Sequence, residues 1–206
     1  MGLLACVAGF VNAVFIVVLI FPVSHLSGSI ANLSINAITR NLWEFAVIAL
    51  ILLGFLCGAA GAGSVLGHAE RTNGVRRGLV LVLEAALLIA AIFAPNLGLQ
   101  AFLAATACGM QNGVTSNYRG MAVRTTHLTG TVTDLGVMLG RSRHHGLDWR
   151  QVAMHVQTVA LFIVGGLLGA IGGTTLGHWA LLIPAAVCTA AGISAIVSER
   201  WRGSAG

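Results

Sequence analysis

Between Met1 and Leu66 only two charged side chains occur, Arg40 and Glu44, and this scarcity constrains the fold more than any motif does. A helix needs roughly 20 apolar residues to cross a hydrocarbon core, and this stretch holds enough for more than one crossing. The pattern continues along the chain. Six long apolar segments can be read, at about 3–21, 43–66, 78–94, 97–115, 151–173 and 179–197, with polar or glycine-rich punctuation between them. Charged residues make up 8% of the chain, against roughly 25% in a soluble domain. Glycine is abundant, at 27 residues, and aromatics are sparse, which favours closely packed helices over a β-barrel. The expectation is an all-α membrane protein with six transmembrane helices.

Within this apolar background one polar phrase is written twice. "SHLSGSIANL" at 24–33 and "THLTGTVTDL" at 126–135 share His-Leu-hydroxyl-Gly-hydroxyl, then an apolar residue, a small or hydroxyl residue, Asn or Asp, and Leu. Each opens a short segment, about 27–39 and about 127–140. Some 13 residues make roughly 20 Å of helix, too short for a core of about 30 Å. Charge tests whether these segments cross anyway. All eleven basic residues are Arg. With six spans, ten of them (Arg71, Arg76, Arg77, Arg119, Arg124, Arg141, Arg143, Arg150, Arg200 and Arg202) fall on one side and only Arg40 on the other. If both short segments crossed, the split would be 6 to 5. The positive-inside rule selects six spans with both termini cytoplasmic. Arg residues at helix ends also account for the net charge of +5, and no basic polar domain is present to dock nucleic acid.

The duplication reaches beyond the phrase. Gly54, Gly58 and Ala62 recur as Gly165, Gly169 and Gly173; "LGH" at 66–68 recurs at 176–178; "AGFVNAV" at 8–14 is echoed by "CGMQNGV" at 108–114, which aligns Asn12 with Asn112. Two units follow, 1–94 and 95–206, each with a span, a short helix and two further spans. Three spans is an odd number, so the second unit enters from the opposite face, giving a 3+3 inverted-topology repeat. "PVSHLS" at 22–27, extended, covers roughly 20 Å, enough to reach inward before a short helix returns. Such a re-entrant path would place Ser27 or Ser29, and Thr129 or Thr131, as N-caps at two helix N-termini facing one another. An interfacial position for the short helices remains the alternative.

Paired polar segments at matching positions of two repeats point to a transport site near the midplane. The candidate substrate-binding residues are His25, Ser27, Gly28, Asn32, Thr126, His127, Thr129, Gly130 and Asp134. Gly28 and Gly130 would let a backbone or solute come close. His25 and His127 have two readings, as solute or proton ligands or as hydrogen-bonded helix-start residues. Asn32 and Asp134 have two as well, lining a water-filled path or facing an interface. Glu84 stands alone in "GLVLVLEAALLIAAIFA"; a mid-span carboxylate costs roughly 2.5–3.5 kcal/mol on insertion scales, so it is the proton-coupling candidate. Asn12, Gln111 and Asn112 are supporting polar groups, placed to bond the short segments, a solute or a neighbouring helix, and Arg124 is a fourth, to hold an anion, pair with Asp134 or serve as a positive-inside anchor.

Several classes are disfavoured. There is no P-loop, dinucleotide fingerprint, GxSxG or HExxH, and Cys6, Cys57, Cys108 and Cys188 lie within apolar runs as small packing residues. No catalytic residue, metal or cofactor is expected. The partners expected are the lipid bilayer and a small polar or anionic solute, and a homo-oligomer is compatible with the pattern. The reading is a secondary transporter or channel, with a non-transport scaffold or intramembrane enzyme as the alternative.

At "AGFVNAV", "SHLSG", "MQNG" and "VRTTHLTGT" the chain resembles the YoaK-like family of bacterial six-span membrane proteins, over essentially its whole length. The resemblance implies the six-span architecture, in a bacterial cytoplasmic (inner) membrane, and carries no established activity. Members of that family often show Asp where this chain has Asn12.

Overall fold

Asn41, Asn96 and Asp148 each begin a long helix by accepting first-turn N–H groups on the side chain, from Glu44 at 3.4 Å, Leu99 at 2.9 Å, and Arg150 and Gln151 at 3.0 and 3.3 Å. The computed structural model describes residues 2–67, 74–116 and 125–203. They form α1 (Gly2–Leu19), α2 (Leu26–Thr39), α3 (Leu42–Leu66), α4 (Gly74–Ile92), α5 (Leu97–Thr115), α6 (Leu128–His145), α7 (Trp149–Leu176), a 3-10 turn (Gly177–Leu181) and α8 (Leu182–Gly203). Gly67, Gly146 and Gly177 follow α3, α6 and α7 at φ of 63°, 73° and 59°, values that a side chain disfavours and that end a helix.

Several boundaries differ from expectation: α4 begins at Gly74 rather than about 78, and α8 runs to Gly203 rather than about 197. The second short helix runs through Gly140 to His145 rather than ending at about 140; the chain first leaves the helix at Gly146, at φ 73°. The "GGTTLGHW" punctuation does not start a loop: α7 continues to Leu176, and a single 3-10 turn leads into α8. Pro184 sits in the first turn of α8, where its missing N–H has no intrahelical role.

Gly2–Leu19, Leu42–Leu66 and the continuous stretch Trp149–Trp201 are long and apolar enough to cross a membrane. The chain is therefore a multi-pass helical membrane protein. The two 19-residue helices α4 and α5 fall outside that set for different reasons: α4 carries three charges, Arg76, Arg77 and Glu84, while α5 is less apolar, with Gln100, Gln111 and Asn112. Apolar side chains cover the outer faces of α3, α7 and α8; Phe10, Val14, Phe15, Ile51, Leu88 and Leu181 fill the centre.

In lipid, helices associate through close packing rather than through exclusion of water, so small residues decide where they meet. α1 lies along α7, α3 along α5, and α4 along both α8 and α5; α2 and α6 pack on α3 and α7. The contacts give each pair a direction. Cys6 meets Gly165, Phe10 meets Gly169 and Val14 meets Gly173, so α1 and α7 run parallel. Phe102 meets Gly54, Thr106 meets Gly58 and Gly113 meets Ala62, so α3 and α5 do too. Gly74 faces Ala195 and Glu199 while Gly78 faces Gly192, so α4 and α8 run antiparallel.

The closest backbone approaches come in matched sets. A β-carbon on Gly9 would strike the Phe162 carbonyl, and one on Gly109 would strike that of Phe55. One on Gly165 would strike the Cys6 carbonyl, and one on Gly58 that of Thr106. These equivalences shift α1 onto α5 by 100 residues and α3 onto α7 by 107. The sequence alignment of Gly54, Gly58 and Ala62 with Gly165, Gly169 and Gly173 implied 111, so the glycine ladders align one helical turn away from where their spacing suggested. Of the cysteines, Cys108 and Cys188 are buried as expected, whereas Cys57 is exposed.

Candidate functional site

After α1 ends, Ile20 adopts a left-handed conformation at φ 66° and the chain doubles back. Ser24 then donates its hydroxyl and its backbone N–H to Asn12 Oδ1, at 2.8 and 3.4 Å. Asn12 lies seven residues before the end of α1, about 10 Å along the helix. The segment preceding α2 therefore returns beside the middle of α1.

The second half repeats the device. Thr126 donates its N–H to Asn112 Oδ1 at 3.4 Å, the Thr125 hydroxyl donates to the same oxygen at 3.2 Å, and Asn112 Nδ2 donates to Thr126 Oγ1. Gln111 extends the network, donating Nε2 to the Leu4 carbonyl of α1 and to Thr125 Oγ1 at 3.1 Å. Gln111 and Thr125 are each 1% exposed. Asn12, Gln111 and Asn112 are thus all hydrogen-bonded to protein groups. Arg124 lies outside the described residues.

From these latches the two short helices start. The residues at the N-cap positions are His25 and His127, and neither imidazole caps its helix. The hydroxyls expected to cap are placed otherwise. Ser29 and Thr131 lie one turn inside, buried, and each donates its hydroxyl at 3.2 Å to the carbonyl of the preceding histidine. A buried hydroxyl needs an acceptor, and the carbonyl four residues back is the nearest. The same carbonyls also accept the Ser29 and Thr131 N–H groups at 3.2 Å. The N–H groups of Leu26, Ser27 and Gly28, and of Leu128, Thr129 and Gly130, precede those first intrahelical bonds.

Both helix starts border one cavity of about 440 Å³. His25, Ser27, Thr126, His127 and Thr129 line it, five of the nine residues singled out from sequence, and Asn112 joins them from behind. The sequence reading missed Ser24 and Ser116, together with Phe55, Ala59 and Gly63 on one face of α3. Ser24 was legible as the partner of Thr126 in the repeated phrase. The α3 face carried no polar signal. α2 and α6 do not touch among the described residues, so the cavity separates them. Asn32 and Asp134 are exposed and lie outside the lining. At Gly28 and Gly130 the space that a β-carbon would occupy is taken by the imidazole of the helix's own histidine.

Glu84 stands apart from the cavity. It is 1% exposed on α4, beside Cys188 of α8 and Cys108 of α5, and its Oε2 has no hydrogen-bond partner among the described residues. No cluster of three or more His, Cys, Asp or Glu that could hold a metal occurs among the described residues.

The lining is thus hydroxyls, two imidazoles, an amide and apolar groups, with no carboxylate among them. Such a wall can donate and accept hydrogen bonds, and it places no fixed negative charge against an anion. No curated protein and no solved structure matches the chain. A family match covers residues 1–194, and the chain belongs to that family, described as protein of unknown function (DUF1275).

Proposed function

We propose that the protein is a secondary transporter or channel for a small polar or anionic solute, with its site in the cavity between α2 and α6. The observation that carries this reading is that two matching helix starts, a hundred residues apart in sequence, border one polar-lined cavity in a membrane protein. Free first-turn N–H groups and the positive ends of two helix dipoles favour solutes rich in acceptors.

The architecture we propose is six crossings arranged as an inverted 3+3 repeat. Helix directions support it. Were α6 to cross, α4 and α8 would emerge parallel, and they pack antiparallel. With α6 turned back, the parallel pairing of α1 and α7 requires that α2 turn back too. The Ser24–Asn12 bonds, deep along α1, support a re-entrant path over an interfacial one. The ten-to-one Arg distribution supports cytoplasmic termini in a bacterial inner membrane. "VRTTHLTGT" supports a narrower place among YoaK-like members of the family. Glu84, a buried carboxyl with an unpartnered oxygen, is the residue proposed to carry the coupling proton.

Proteoliposome swelling in iso-osmotic sodium formate, sodium phosphate or glycerol tests the reading. The wild-type protein is expected to pass at least one of them, and joint His25→Ala and His127→Ala replacement to lower that flux at least about tenfold. Flux that survives the double replacement would remove the histidines from the site.

A further inference from the structure

Gly28 and Gly130 each stand three residues after the histidine that starts their helix. A β-carbon at Gly28 would lie 2.9 Å from His25 Cδ2 and 3.3 Å from Nε2. At Gly130 it would lie 2.5 Å from His127 Cδ2 and 2.7 Å from Nε2. In both helices the nearest atoms to the bare glycine belong to that ring. Each imidazole is therefore folded back over the first turn of its own helix, with its Cδ2–Nε2 edge against the glycine. Neither ring is held by a capping hydrogen bond, and both border the cavity.

We infer that Gly28 and Gly130 are positioning residues, which seat His25 and His127 in the cavity wall and so set which solutes the cavity admits. This inference rests on the transport reading. It assigns the glycines a different role from the one their spacing suggested: the space they leave is filled by an imidazole, and solute meets the ring rather than the glycine backbone. A side chain at either position must push the ring out, because the other neighbour is the helix backbone itself. Separations below 3.0 Å force a shift, so alanine at Gly130 displaces its ring further than alanine at Gly28. Helix propensity argues the opposite way. Alanine is the better helix former, so a purely structural role predicts that both substitutions are tolerated or helpful.

The test is carbethoxylation of the purified full-length protein by diethylpyrocarbonate at fixed pH, resolved by residue with mass spectrometry. The Gly130→Ala variant is expected to label His127 at least about fivefold faster than wild type, and Gly28→Ala to label His25 faster by a smaller factor. In each variant the other cavity histidine and His178 should keep their wild-type rates. Unchanged rates at His25 and His127 would overturn the proposal. A rise at His178 as well would also overturn it, since that reports a loosened fold. The functional arm is a double-mutant cycle in the swelling assay, where Gly130→Ala added to His127→Ala should cause no further loss of flux. Additive losses would show that the glycine acts other than through the ring. If no solute passes the wild-type protein but labelling is selective, the seat stands and the transport reading fails, so the two failures are distinguishable.

Discussion

The two halves of the molecule hold their short helices by the same device but not with the same grip. In the first half Asn12 receives two bonds from one residue, Ser24. In the second, Asn112 engages both Thr125 and Thr126, and Gln111 ties that network to the backbone of α1. Position 11, the counterpart of Gln111 under the 100-residue shift, is Val. The wider packing differs in the same sense. α4 lies along α5, whereas α8 touches α1 only lightly, with the 3-10 turn between them. The lesson is that the same latch position recurs in both halves while the number of bonds at each differs. On the transport reading the α2 start is the looser of the two walls of the cavity.

Breaking the latches should show the largest difference. Asn112→Leu strands the buried Thr125 hydroxyl and the Thr126 N–H, an expected loss of about 2–3 kcal/mol. Asn12→Leu strands only Ser24 and should cost about 1–2 kcal/mol. Denaturant titration of the purified protein in mixed micelles measures both. Equal losses would erase the asymmetry.

The glycine contacts sharpen the comparison from the other side, because here the halves should behave alike. Gly58→Ala and Gly165→Ala each drive a β-carbon into a backbone carbonyl, on α5 and α1 respectively. Each is expected to cost about 1–3 kcal/mol, as overpacking does, with the two values within about 0.5 kcal/mol of one another. A large loss at one and none at the other would contradict the 100- and 107-residue equivalences.

Much of this was legible in sequence, and the exceptions have physical causes. Apolar runs located the long helices to within a few residues, since lipid tolerates little else over such lengths. The repeated phrase located both helix starts, because a polar phrase in an apolar chain has to be near something that satisfies it. The glycine register was not legible. Glycines four apart look alike at every turn, and only the partner helix decides which turn makes contact. Ser29 and Thr131 do not cap their helices, for a related reason: pattern places residues on a helix face but does not fix the residue at which the helix starts. Asn32 and Asp134 share the helical face of the buried Ser29 and Thr131, yet they lie further along helices that leave the cavity after their first turn.

Glu84→Gln should have the smallest effect on stability. It keeps the shape of the side chain and removes an oxygen that has no hydrogen-bond partner among the described residues, so a change of less than about 1 kcal/mol is expected. Its effect on function should be larger than its effect on fold. Flux in the swelling assay is expected to lose its dependence on pH, and a pH profile identical to wild type would remove Glu84 from coupling. Among the described residues a buried carboxyl occurs only in the first half, a further asymmetry between the halves.

The central claim is that water and solute, rather than packed protein, occupy the space between the two short helices. Single cysteines at Ser27 and Thr129, in a chain with its four native cysteines replaced, test it directly. Reaction with a small, charged methanethiosulfonate reagent in sealed proteoliposomes is read by mass shift. The account predicts that both cysteines react, and that a cysteine at Leu88, in the packed centre, does not. Failure of both cavity positions to react, in protein that remains folded, would mean a dry interface and would contradict it.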